Sequence, residues 1–166
     1  MKRLFLIALI IGVLSGVGCA TKSTFEPISP DAKIPPTAHY EIGEIKDNSG
    51  FTASSEDINP ALAMENALKA ELAKAGLLGG EYKINVTITE YEPGNAFKRW
   101  ILPGFGGTYL KTQNSIINPE GKVIASIPIN RTVAAGGAFT IGAWQQCFQE
   151  VAEELIKVLK REMKTS

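Results

Sequence analysis

The chain has 166 residues, with 17 basic and 17 acidic side chains, one histidine and two cysteines. The balanced charge, with no basic block or stripe, argues against a nucleic-acid surface. Two cysteines leave no disulfide framework, and one histidine leaves metal sites and histidine-dependent nucleophiles short of ligands and bases.

The first residues, "MKRLFLIALIIGVLSGVGCA", open with Lys2 and Arg3 and continue with an apolar run from Leu4 to Val17. That run falls short of the roughly 20 residues a spanning helix needs, so it reads as an export signal. Small residues follow and end in Cys19. This arrangement resembles a bacterial lipoprotein signal, with Gly16-Val17-Gly18 as the small-residue box and Gly16 where leucine is preferred. The resemblance implies cleavage after residue 18, lipid on Cys19 and, with Ala20 in the sorting position, attachment to the outer membrane facing the periplasm. Such a protein is anchored to the bilayer and does not span it.

Residues 19–38 follow as the lipidated cysteine and a tether. "TKSTFEPISPDAKIPPT" carries Pro27, Pro30, Pro35 and Pro36 without apolar periodicity. Such a stretch is expected as an extended spacer, holding a domain up to about 50 Å from the membrane. Residues 39–166 suit one domain.

"HYEIGEIK", His39 to Lys46, alternates as a short strand. Asn59 as N-cap, Pro60 at the first helical position and Gly76 as C-cap bracket a helix. Its stripe is Ala61, Met64, Leu68, Leu72 and Ala75. "EYKINVTITEYE" is a strand with Tyr82, Ile84, Val86 and Ile88 on one side. Continuing that parity puts Glu90 and Glu92 on the same face, about 7 Å apart, where the strand runs past the core edge.

Thr108 to Val133 reads as a hairpin around "NPEG". Leu110, Thr112, Asn114 and Ile116 form one face of the first arm, and Val123, Ala125, Ile127 and Ile129 one face of the second. Pro128 predicts an edge or a bulge in the second arm. From about Ile141 a long amphipathic helix presents Trp144, Phe148, Val151, Leu155, Val158 and Leu159, with Cys147 at the rim of that face. Lys157, Lys160, Arg161 and Lys164 gather in its last turns, where they complement the helix dipole. The expected fold is α+β in β-α-β-β-β-α order: one small domain, with a sheet of about four strands and two amphipathic helices packed on it.

No catalytic site, metal site or cofactor is expected. His39 reads as an exposed residue beside the tether and Cys147 as a buried, inert thiol. Gly104 and Gly106 do not make a nucleotide loop, because no Gly-Lys-Ser/Thr follows and a strand rather than a helix comes next. The stretch from Asn95 to Leu110 reads instead as a capped turn stopped by Pro103 and a glycine bend. Phe97, Lys98, Arg99, Trp100, Phe105 and Tyr109 then form either a buried lid over one end of the sheet or an exposed patch for a protein partner or lipid headgroups.

Taken together, "KRWILPGFGGTYL", "GKVIASI", "VAAGGAFTIGAW" and the terminal helix are similar to an uncharacterised family of bacterial envelope lipoproteins defined by a domain of unknown function. The similarity covers roughly Ala61 to Lys160 and implies a lipidated envelope domain without an assigned activity. The expected role is non-enzymatic: binding or scaffolding other envelope components, with the membrane and an envelope protein as partners. The alternative is a periplasmic carrier of a small apolar ligand or lipid, which needs a cavity of about 300 Å³ or more between the sheet and the C-terminal helix.

Overall fold

The computed structural model describes residues 21–29, 33–52, 58–94, 106–133 and 143–165. In chain order its elements are β1 (Thr21–Ser23), β2 (Glu26–Pro27), β3 (Tyr40–Asp47), α1 (Pro60–Ala75), β4 (Tyr82–Glu92), β5 (Thr108–Ile117), β6 (Val123–Val133) and α2 (Ala143–Thr165). The five long elements from α1 onward and β3 follow the expected β-α-β-β-β-α order.

The sheet runs β1-β6-β5-β4-β3, with β2 also on β6. It holds six strands where about four were expected. β3 and β4 are parallel, joined by the α1 crossover. Every other pairing is antiparallel. The Ile42/Ile45 region of β3 carries a bulge, and the side chain of Asn85 fastens it: Glu44 N donates to Asn85 Oδ1 across 2.9 Å.

The extra strands come from the stretch expected as a spacer, and this corrects that expectation. Thr21, Lys22 and Ser23 lie opposite Arg131, Asn130 and Ile129, while Glu26 and Pro27 lie opposite Ser126 and Ala125. Phe25 packs against the core and Ile34 is only 1% exposed. Two apolar side chains in a proline-rich stretch are enough to fold it back, since burying one such side chain contributes about 1.5–3 kcal/mol. Among the described residues the sheet therefore already includes Thr21, well before residue 39. The same strands explain Pro128. β6 is not an edge strand, but its outer neighbour is interrupted at Thr24–Phe25, opposite Ile127 and Pro128.

Both helices cover one face of the sheet. α1 begins where Asn59 Oδ1 accepts from Leu62 N at 3.0 Å and ends at Gly76, whose φ of 70° is the left-handed cap. Met64, Leu68 and Leu72 are buried beneath it, as the stripe predicts. α2 buries Phe148, Val151, Leu155, Val158 and Leu159 on the sheet. Cys147 lies in the core rather than at its rim. From the strands, Ile84, Val86, Ile88, Leu110, Thr112, Asn114, Ile116, Ala125, Ile127 and Ile129 face the helices. The opposite face is open and polar, built of residues such as Asn85, Thr87, Gln113, Ser115 and Ser126. A one-sided antiparallel sheet commonly presents such a face.

One expected face is corrected. A bulge between Ile88 and Glu90 inserts Thr89 and reverses the parity of β4. Tyr91 takes the inward position and is 7% exposed, while Glu90 and Glu92 turn outward. Glu90 pairs with Lys111 at 2.9 Å. At the hairpin turn, Lys122 N donates to Asn118 Oδ1 at 2.8 Å and Gly121 has φ of 77°, as "NPEG" predicts.

Candidate functional site

The register gathers several chain ends at one end of the domain. Thr21 lies opposite Arg131, Thr108 opposite Val133 and Tyr109 opposite Glu92. β3, β4 and β6 finish there, while β1, β5, α1 and α2 begin there. The connections spanning residues 48–59, 93–107 and 134–142 all leave from this loop end. The α1–β4 connection, the β5–β6 turn and the end of α2 lie at the opposite, hairpin end.

β1 is locked at the loop end by a buried charge. Arg131 occupies an inward position of β6, continuing the row Ala125, Ile127, Ile129, and is 7% exposed. A cation placed there requires a partner. Its Nε pairs with Glu150 of α2, and its Nη1 donates to Thr21 Oγ1 at 2.7 Å. Glu150 also accepts from Gln146 Nε2 at 3.0 Å. One helical turn on, Glu154 accepts from Ser23 Oγ at 2.6 Å. Strand β1 is thus held by its ladder to β6 and by side chains from β6 and α2 together.

The same end holds an aromatic cluster. Phe51 meets Tyr91 edge-on with ring centroids 5.0 Å apart, Tyr91 meets Phe148 at 5.2 Å, and Phe148 meets Trp144 at 6.4 Å. The Tyr91 hydroxyl is buried with no hydrogen-bond partner among the described residues. Burial first, then the neighbouring Cys147, Glu92 and Asp47, push its pKa well above the ordinary tyrosine range. Phe51 and Trp144 are half-buried, apolar inward with part of each ring facing out. Beside Trp144 an apolar groove of about 400 Å³ runs between the helices, floored by Ala63, Ala67, Ala70 and Phe148. It lies between α1 and α2, not between the sheet and α2, where buried side chains meet.

Of the residues singled out from the sequence, Tyr109 stands half-exposed on the open sheet face at this end, between Glu92 and Thr132. Phe97, Lys98, Arg99, Trp100, Phe105 and the lipidation candidate Cys19 lie outside the described residues. The described flanks of the aromatic stretch, Gly94 and Gly106, both have positive φ, 74° and 71°. His39 is exposed, with Nδ1 2.9 Å from Thr37 O. Among the described residues no three His, Cys, Asp or Glu side chains converge as a metal-binding group, and no helix is long and apolar enough to cross a membrane.

Sequence reasoning missed the Arg131–Thr21–Glu150 and Ser23–Glu154 contacts. The available signal was an arginine in the inward register of a strand, combined with Glu150 and Glu154 four residues apart on one helix face.

Solved structures share this fold at low identity. A point variant of the PelC dodecamer from Paraburkholderia phytofirmans superposes with a TM-score of 0.54 and 12% identity, covering 84% of this chain and 98% of that one. Protein XCC0632 from Xanthomonas campestris, of family DUF330, gives 0.53 and 10%, covering 83% and 94%. The hypothetical protein CT253 from Chlamydia trachomatis gives 0.55 and 7%, covering 78% and 99%. No curated protein matches the sequence. The profile of the domain of unknown function DUF4410 matches residues 30–137, more than half of the 166 residues, and the chain belongs to that family.

Proposed function

We propose that this protein is a lipid-anchored, non-enzymatic component of the bacterial envelope that binds or scaffolds other envelope components. Lipid on Cys19 attaches it to the outer membrane on the periplasmic side, and Phe97, Lys98, Arg99, Trp100, Phe105 and Tyr109 supply the contacting patch. One observation carries the reading: the chain end that follows Cys19 and both flanks of the aromatic stretch emerge at the same end of the domain. A contact patch beside the anchor meets partners held in or on the same membrane. The fold is also found in a protein described as a dodecamer, which is compatible with a scaffolding role.

Palmitate labelling of wild type and Cys19→Ala tests the anchor: label is expected on wild type alone. Affinity capture of envelope proteins with wild type and Trp100→Ala tests the patch. Loss of the same captured protein on substitution is expected, and an unchanged capture set would remove the patch from the proposal.

The carrier reading retains one supporting observation, the apolar groove of about 400 Å³ beside Trp144. Its location differs from the expected cavity. Saturable quenching of Trp144 by a fatty acid or small apolar probe, abolished by Ala67→Phe, would move the function to that reading.

A further inference from the structure

We infer that strand β1 couples the anchor rigidly to the domain, so that the loop end faces the bilayer and its half-buried aromatic side chains lie against the lipid surface. This rests on the lipid-anchor reading above and adds an orientation to it.

The argument begins with reach. Only Ala20 separates Cys19 from Thr21, and two residues of extended chain span at most about 7 Å. A free spacer of the kind the prolines suggest would span about 50 Å and leave the domain free to tumble. That spacer does not exist in the fold, because Thr21 already sits opposite Arg131. Arg131 Nη1 holds its hydroxyl at 2.7 Å, and Glu154 holds Ser23 at 2.6 Å. The loop end is therefore within about 7 Å of the anchor point, while the hairpin end is about 30 Å away along β6.

The loop end, where the anchor arrives, also carries aromatic side chains beside exposed Asp47 and Glu92. The loop end offers Phe51, Trp144 and Tyr109, all half-buried. Amphipathic aromatic rings suit the headgroup layer of a membrane. The hairpin end carries exposed Glu120 and Lys122, with Lys160 and Lys164 of α2, beside the exposed apolar side chains of Ile28, Leu78 and Val123. The partner is thus the lipid surface to which Cys19 is attached, and the open polar face of the sheet stands along the membrane normal, free for other contacts.

The test couples the chain from Cys19 onward, which contains every described residue, to vesicles through the Cys19 thiol and a maleimide phospholipid. Cys147→Ala keeps the coupling specific, and the attachment does not depend on cellular lipidation. Single tryptophans are placed at Thr132→Trp or Lys122→Trp in a Trp100→Phe, Trp144→Phe background, and brominated lipid in the vesicle quenches those near the bilayer. Quenching at position 132 is expected to exceed that at position 122 several-fold. A ten-residue Gly-Ser insertion after Ala20, which leaves the fold intact and adds about 17 Å of flexible reach, is expected to bring the ratio towards one. Thr21→Val with Ser23→Ala, which loosens β1 without stranding a charge, should shift the ratio the same way by less. Equal quenching at both positions in the directly coupled chain, or a ratio unchanged by the insertion, would overturn the inference. Palmitate labelling of Cys19 in cells reports separately on the anchor itself, so failure of one result is distinguishable from failure of the other.

Discussion

Arg131 of β6 and Thr21 of β1 are joined across 2.7 Å although 110 residues separate them in the chain. The guanidinium is buried and its charge is balanced by Glu150. One side chain thereby ties the first described strand, its neighbour β6 and the terminal helix together. With the β1–β6 ladder and the Ser23–Glu154 bond, that contact fixes where the start of β1 lies on the domain.

The ion pair should be costly to break and cheap to replace. Glu150→Ala removes the carboxylate that pairs with the buried Arg131 guanidinium, with an expected loss of about 3 kcal/mol in urea unfolding. Arg131→Met together with Glu150→Met fills similar volume without charge and should recover most of that loss. Equal losses in the single and the double variant would mean that the pair contributes packing alone. The double variant also keeps the fold while releasing Thr21, which separates its effect on stability from its effect on orientation.

Two glycines are required by close approach rather than by backbone angle. A Cβ on Gly80 would fall 2.5 Å from both the carbonyl oxygen and the Cβ of His39. The carbonyl is held, since Tyr82 N donates to it. A Cβ on Gly43 would fall 2.0 Å from Asn85 Oδ1, a side-chain atom that can swing away at the loss of its bond from Glu44 N. Gly80→Ala is therefore expected to cost about 2–3 kcal/mol and Gly43→Ala about 1 kcal/mol. Placing Gly43→Ala in an Asn85→Ala background should cost almost nothing further, because the clash is already gone. Chemical denaturation of the four variants checks the order.

The long elements were legible because each has one dominant period. The stripe Met64-Leu68-Leu72 and the alternation Ile84-Val86-Ile88 can each be packed in only one way. What was not legible depends on single residues that break a period. Thr89 inserts one position and exchanges Tyr91 with the two glutamates, although the written sequence continues to alternate. Phe25 and Ile34 are isolated apolar residues among prolines, and no local pattern reveals that this stretch pairs with β6 and feeds the core. Arg131 breaks an otherwise apolar row, and only the three-dimensional neighbourhood supplies Glu150 and Thr21. The loop end was legible as a collection of aromatic and glycine-rich stretches, but not as the place where the anchor also arrives.

Alkaline pH should unfold the domain earlier than its surface charge alone would dictate. Burial raises the pKa of Tyr40 and of Tyr91 well above the ordinary value near 10, with Tyr82 adding to the effect at Tyr40. In the unfolded chain both ionise near pH 10, so between there and their folded values the unfolded state binds fewer protons and gains stability relative to the fold. The contribution of the neutral hydroxyls is complete below about pH 10 and is lost as pH rises beyond it, by up to about 1.4 kcal/mol per pH unit for each tyrosine. Neither hydroxyl has a hydrogen-bond partner among the described residues, so Tyr91→Phe removes an unpaired polar atom from an aromatic cluster that keeps its rings. That variant should be as stable as wild type or more so at pH 7, and its stability should fall about half as steeply with pH above 10. Denaturation midpoints at pH 7, 9, 10 and 11 read both effects. A marked loss at pH 7 would mean that the hydroxyl is bonded after all, and an unchanged alkaline slope would mean that Tyr91 ionises in the folded state as readily as in the unfolded one.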